Sequence, residues 1–124
     1  MTQLSGGPVE TAPEDPQPLD PELLADAAAA FGMLAATSRL QIVWLLADGP
    51  RDVGTLATTL GQPVATVSQH LAKLKLAGLV RARREGRHQI YVIADAGVVE
   101  VVRTVVAAQD RRREPGAVRG RGIA

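Results

Sequence analysis

Between Gln62 and Val80 the apolar residues recur with a helical period. Val64, Val67, Leu71 and Leu74 fall at spacings of three, four and three, which makes one stripe on an α-helix. At about 100° per residue, Thr66, Gln69 and Lys73 point away from that stripe, with Ala65 and Ala72 beside them. The outward face is polar, slightly basic and free of acids. Such a face suits a helix that enters a groove and reads base edges. Gly78 predicts the end of the helix, and the period then shortens to two. Val80 and Ala82 alternate with Arg81 and Arg83, Arg84-Glu85-Gly86-Arg87 reads as a turn, and Ile90 and Val92 alternate with Gln89 and Tyr91. A β-hairpin bearing four arginines directly after a recognition helix is a wing, whose arginines reach phosphates or the minor groove.

Upstream, Asp20-Pro21 reads as an N-cap followed by proline at the first helical position. Leu24, Ala27, Ala28, Phe31 and Leu34 share one face of the helix that follows. Ser38 to Ala47 is apolar almost all round, which predicts a helix in the middle of the domain with Trp44 in the core. Asp48-Gly49-Pro50 stops it. Val53 is expected in a short strand and Gly54 to Leu60 in a third helix, with Leu56 and Leu60 inward and Gly61 at its end. Two helices joined by a tight turn, the second polar outside, is the pattern of a helix-turn-helix. Asp95 caps a last helix on which Val98, Val101, Val102 and Val105 keep helical spacing. So valine-rich a run is also compatible with a strand, but its length to Asp110 and the Ala107-Ala108 pair select helix. Its stripe is wide for a terminal helix, and with the alanine-rich first helix it predicts a dimer surface. The expected fold is mainly α with a small β-hairpin: a homodimeric winged helix-turn-helix of order α-α-α-α-β-β-α.

The 124 residues allow one small domain with acidic and basic ends. Residues 1–19 are proline-rich and acidic and are expected to form a disordered arm. The foldable part runs from 20 to 110, and 111–124 is expected to be a disordered basic tail. A net charge of +1 hides an asymmetry: through Asp52 the chain sums to −6, and from Val53 onward to +7. The basic half can attract a polyanion, or it can simply be a solvated surface. The absence of cysteine removes disulfides, thiolate nucleophiles and cysteine metal sites. No basic residue precedes Arg39 and no early apolar run exists, so no signal peptide is expected. No apolar block approaches the roughly 20 residues of a membrane span. A cytoplasmic protein is expected, with no membrane partner.

VSQHLAKLKLAGLV, followed by RARREGR and IYVI, resembles the ArsR/SmtB family of bacterial winged-helix regulators. The family pattern S-x-H-L-x-x-L-x-x-x-G-L is carried here by Ser68, His70, Leu71, Leu74, Gly78 and Leu79. LAATSRLQIVWLL from Leu34 is similar to the family's second helix, with Ala36 where an N-cap aspartate is usual. The resemblance spans about Asp20 to Asp110 and is nearest in character to actinobacterial nickel- and cobalt-responsive members. It implies a homodimer joined through the first and last helices, here by Leu24, Ala28, Phe31, Val98, Val102 and Val105. It implies double-stranded operator DNA of two-fold symmetry, and repression released by an effector that is often a metal. Combined with the helix and hairpin patterns, it places DNA contacts at Thr66, Ser68, Gln69, His70, Lys73, Arg83, Arg84 and Arg87.

The metal positions depart from the family. Its thiolate pair falls at Asp52 and Gly54. Its last-helix ligands fall at Asp95, Gly97, Ala108 and Arg111, of which only the aspartate is retained. His70 reads as a residue that orients the recognition helix or contacts DNA. His88 is either a solvated wing residue or one member of a weak site with Asp95, Glu100 or Asp110, within or between subunits. Imidazole with carboxylates suits nickel or zinc, loosely bound, so no cofactor is expected to be required. Ser68 and His70, two apart on one helix, diverge and cannot form a nucleophile–base pair, so catalysis is not expected. The remaining alternatives are a winged-helix protein-interaction module, or a regulator that relies on a separate effector-sensing partner rather than sensing metal itself.

Overall fold

Residues 15–114 are described by the computed structural model. Five helices and three short strands follow one another as α1 (Pro21–Leu34), α2 (Thr37–Leu46), β1 (Arg51–Asp52), α3 (Val53–Leu60), α4 (Val64–Leu76), β2 (Val80–Glu85), β3 (His88–Ile93) and α5 (Ala96–Arg113). The expected arm and tail fall, over residues 1–14 and 115–124, outside the described residues. The element order is that of a winged helix-turn-helix, with β1 added at the sheet edge.

Local chemistry sets the helix ends. The Asp20 carboxylate accepts from the Leu23 amide at 3.1 Å, and Pro21 occupies the first turn of α1. Ala36 offers α2 no side-chain cap. Instead Arg39 Nε donates to the Met33 carbonyl at 2.8 Å and ties the α1–α2 corner together. Val53 does not lie in a strand as expected. The strand is Arg51–Asp52, and Val53 opens α3, because the Asp52 carboxylate accepts from the Thr55 amide at 2.6 Å and caps the helix there. Gly61, at φ +66°, makes the left-handed corner between α3 and α4. Gln62 Nε2 donates to Ser38 Oγ at 2.9 Å, which moors that corner to α2.

The core collects Ile42, Val43 and Leu46 of α2, Leu56 of α3, Val67, Leu71 and Leu74 of α4, Val80 of β2, and Val102 of α5. Burying each of these side chains contributes roughly 1.5–3 kcal/mol. Two expectations fail here. Trp44 is 42% exposed, because α2 packs inward by Ile42, Val43 and Leu46 and no element among the described residues fully covers its outer side. Val64 is 50% exposed, because the first turn of α4 overhangs the core.

The strands form one antiparallel sheet in the order β1-β3-β2. Arg84 and Glu85 belong to β2, and the turn is the two-residue Gly86-Arg87, with Gly86 at φ +62°. Val80 pairs with Ile93 and Ala82 with Tyr91, so the core-facing side of β3 is Tyr91 and Ile93. The sequence pattern had favoured Ile90 and Val92. Tyr91 wins because its ring can lie against the core beneath the small Ala82. The valine run is helical, capped by the Asp95 carboxylate, which accepts from the Gly97 amide at 3.0 Å. α5 continues three residues past the expected boundary at Asp110, and Arg111, Arg112 and Arg113 form its last turn, where cations complement the helix dipole.

Candidate nucleic-acid interface

The candidate reading helix is α4. Val67, Leu71 and Leu74 are fully buried and lock its rotation about its own axis. With that underside fixed, Ala65, Thr66, Ser68, Gln69, Ala72 and Lys73 are all exposed on the opposite side. Thr66, Ser68, Gln69 and Lys73 therefore stand where the sequence placed them. His70 does not share that surface fully. It sits at the margin of the stripe, half-buried, with Nδ1 buried and unpartnered among the described residues. Pro63 gives α4 no side-chain cap, so amides of its first turn remain open to an anion.

Two exposed residues of α4 escaped the sequence reading. Lys75 joins Lys73 in the last turn. Leu76 is 91% exposed, on the ridge that also carries Ala65, Gln69 and Ala72. Spacings of four, three and four from Ala65 would have revealed both that ridge and its apolar end.

The wing presents Arg81, Arg83, Arg84 and Arg87, all exposed. Arg83 Nε lies 2.7 Å from Glu85 Oε2, an exposed pair that contributes at most about 1 kcal/mol and yields readily to a phosphate. Arg84 and Arg87 have no side-chain partner among the described residues. Arg87 lies in the turn itself, and Arg84 is two residues before Gly86. Arg81, expected in the hairpin but not among the DNA contacts, is exposed on β2 beside them.

The wing is tied to the helix-turn-helix at its root. His88 Nδ1 lies 3.5 Å from Asp52 Oδ2, on the carboxylate that caps α3. The Thr55 hydrogen bonds hold the Asp52 carboxyl below the usual carboxylate range, with a smaller contribution from His88. The cap is thus present above the ordinary aspartate range and is lost as pH falls through the lowered value.

The expected metal group is not assembled within a protomer. Among the described residues no three His, Asp or Glu side chains converge as metal ligands. His88 faces Asp52, Asp95 caps α5, Glu100 lies 3.8 Å from Arg103, and Asp110 is near the far end of α5. The reason is geometric: His88 opens β3 and Asp95 follows its other end, so at about 3.3 Å per residue the strand holds them roughly 16 Å apart.

The expected dimer residues divide into two groups. Leu24, Ala28, Phe31 and Val105 are exposed and Val98 is half-buried, so they form a surface that the described residues of the protomer leave largely uncovered. Val102 is only 4% exposed and belongs to the protomer's own core. Val102, three residues before Val105, is turned inward toward the core beside α2. Val101 is the exposed residue that stands on that outer face instead.

A core-locked helix with a polar outer face, preceded by a tight turn and followed by a basic hairpin, defines a winged-helix DNA-binding protein. Residues 37–82 match the arsR family of bacterial regulatory proteins. The chain is 41% identical over 91 residues to the HTH-type transcriptional regulator KmtR of Mycobacterium tuberculosis, covering 73% of this chain and 70% of that protein. It is 39% identical over 95 residues to the HTH-type transcriptional repressor SmtB of the same species, covering 77% and 70%. Among solved structures, it is similar to the homodimeric winged helix-turn-helix DNA-binding domain Mb0332 of Mycobacterium bovis. That likeness has a TM-score of 0.67 and 42% identity over 73% of this chain and 83% of that one. The chain belongs to the arsR family and is a DNA-binding transcriptional regulator.

Proposed function

We propose that the chain works as a homodimer that binds a two-fold symmetric operator and represses transcription. α4 of each protomer reads a half-site, and each wing holds the flanking backbone. One observation carries this reading: the buried underside of α4 fixes an acid-free outer face beside three wing arginines, Arg81, Arg84 and Arg87, that have no side-chain ion pair among the described residues. On that face Gln69 is the side chain that can bond an adenine edge in two places, and Thr66 and Ser68 can bond either kind of base pair. Arg84 and Arg87 contact phosphates or the minor groove and carry no sequence information in the major groove.

The two roles separate in binding measurements on operator and random duplex. Gln69→Ala should cost about 1–3 kcal/mol on the operator and relax specificity there. Arg84→Ala and Arg87→Ala should weaken binding to both duplexes alike. Equal losses on both duplexes for Gln69→Ala would show that it does not read bases. If the purified chain alone shows no preference for any duplex, the docking-module reading replaces this one.

Metal response is proposed to be weak and unnecessary for operator binding. His88 with Asp52 gives one imidazole and one carboxylate, a loose pair for a borderline ion such as nickel or zinc. The metal-free protein should bind the operator. Added nickel should change that affinity by less than the roughly 1–3 kcal/mol of strong allosteric coupling, and His88→Ala should abolish the change. Calorimetric titration with and without operator checks this. Submicromolar nickel binding that survives His88→Ala would place the site elsewhere.

A further inference from the structure

The outer face of α4 is sorted by chemistry around the helix. Successive residues turn by about 100°, so the buried Val67, Leu71 and Leu74 occupy one arc of roughly 60°. Ala65, Gln69, Ala72 and Leu76 occupy a second arc of roughly 60°, centred almost opposite the first. All four are exposed, and Leu76, at 91%, is the most exposed large hydrophobic side chain among the described residues. Thr66 and Lys73 stand about 80° to one side of this line, and Ser68 and Lys75 about 80° to the other. The line that reaches deepest into a groove is thus apolar except for one amide, and the hydroxyls and cations sit on its two shoulders.

Only Gln69 can bond a base edge from that line, and its side chain has no hydrogen bond among the described residues. Ala65 and Ala72 lie about one turn before and after it, and their small side chains let the backbone come close to the groove floor. Leu76 lies a further turn on. Its longer side chain has the reach needed where a straight helix begins to leave a curved groove. The one apolar group on the floor of the major groove is the C5-methyl of thymine. The other groups there are donors and acceptors, and an apolar side chain laid over them removes their water and returns no hydrogen bond.

We propose that this ridge reads thymine methyl groups. Gln69 bonds an adenine, Ala65 and Ala72 pack on the methyls of thymines beside it, and Leu76 packs on a thymine methyl further out in the same half-site. Lys73 and Lys75, on opposite shoulders, face the phosphates on the two walls of a groove about 12 Å wide. A G·C pair beneath Ala72 or Leu76 is rejected, because its polar edge is left dry and unpaired. This rests on the operator reading above, and adds to it the base chemistry that the operator must present.

The full chain first selects its duplex from a randomised pool. Each thymine of the selected duplex is then replaced, one at a time, by uracil, which removes the methyl and keeps every hydrogen-bonding group. A methyl buried against an apolar side chain should be worth about fourfold in affinity. Uracil should therefore cost about fourfold at roughly two or three thymines of each half-site and nothing at the rest. Leu76→Ala should keep the fold, because Leu76 touches little of its own protomer and alanine favours helix. It should lose about fourfold on the thymine duplex and become indifferent to uracil at one of those positions, while the others keep their penalty. Tying one residue to one methyl in this way separates contact from any effect of the methyl on duplex shape. Uracil tolerated at every position overturns the proposal and leaves operator binding standing. So does a Leu76→Ala chain that keeps the full set of uracil penalties, or a selected half-site with no A·T pair beside the position that Gln69→Ala relaxes. A chain that selects no duplex removes the operator reading itself.

Discussion

Operator affinity should fall about 10⁴-fold between roughly 50 and 200 mM salt. Each protomer offers Arg81, Arg84 and Arg87 on the wing and Lys73 on α4, all exposed and none in a side-chain ion pair among the described residues. If a dimer neutralises about eight phosphates, log K should fall with log salt at a slope near −7 as condensed counterions are released. The chain's net charge of +1 would not predict so steep a dependence; the local concentration of cations between α4 and β3 does. Fluorescence anisotropy on a labelled operator gives the slope. A value shallower than about −2 would remove the wing and the end of α4 from the interface.

Val105→Asp should separate the dimer and lower operator affinity by about 10²–10⁴-fold. Val105 is 50% exposed in the protomer, so the substituted side chain is hydrated until the dimer forms. On association the carboxylate would be buried against the apolar α1–α5 surface with no partner, at a cost of several kcal/mol. The loss passes on to DNA because a half-site then binds without the linked second contact. Val102→Asp would be a poor substitute: that side chain lies in the core, and the variant would unfold the protomer rather than test the interface. Sedimentation and operator titration should change together. A Val105→Asp variant that remains dimeric would show that α5 does not form the interface.

The recognition helix was legible in the sequence because its signal is periodic and its neighbours agree with it. Val67, Leu71 and Leu74 face inward as their spacing requires, and Gly78 follows the helix end. Where a stretch is apolar on every side, periodicity gives no direction. That is why Trp44 was expected inside α2 and is found outside. The hairpin failed by a related ambiguity. In β3 both alternating sets, Gln89/Tyr91/Ile93 and Ile90/Val92, can pass as the apolar one, and only pairing with Val80 and Ala82 decides between them. The strand at Arg51–Asp52 is too short to announce itself, and its existence depends on Tyr91 and Ile90 lying opposite. Sequence proximity misled the metal reading. His88 and Asp95 are seven apart, but an extended strand turns nearness along the chain into distance, while Asp52, remote in sequence, arrives beside His88 through the sheet.

That same edge strand limits how the protein can be switched. Arg51 pairs with Tyr91 and Asp52 with Ile90, and Asp52 also caps α3 and meets His88. The hairpin is therefore stitched into the helix-turn-helix at three points and cannot swing as a separate flap. Each protomer presents helix and wing as one stiff jaw. An effector that acts on this protein has to change the gap or the angle between the two jaws, as with a caliper. Its effect should then depend on the number of base pairs between the half-sites, while affinity for an isolated half-site stays the same.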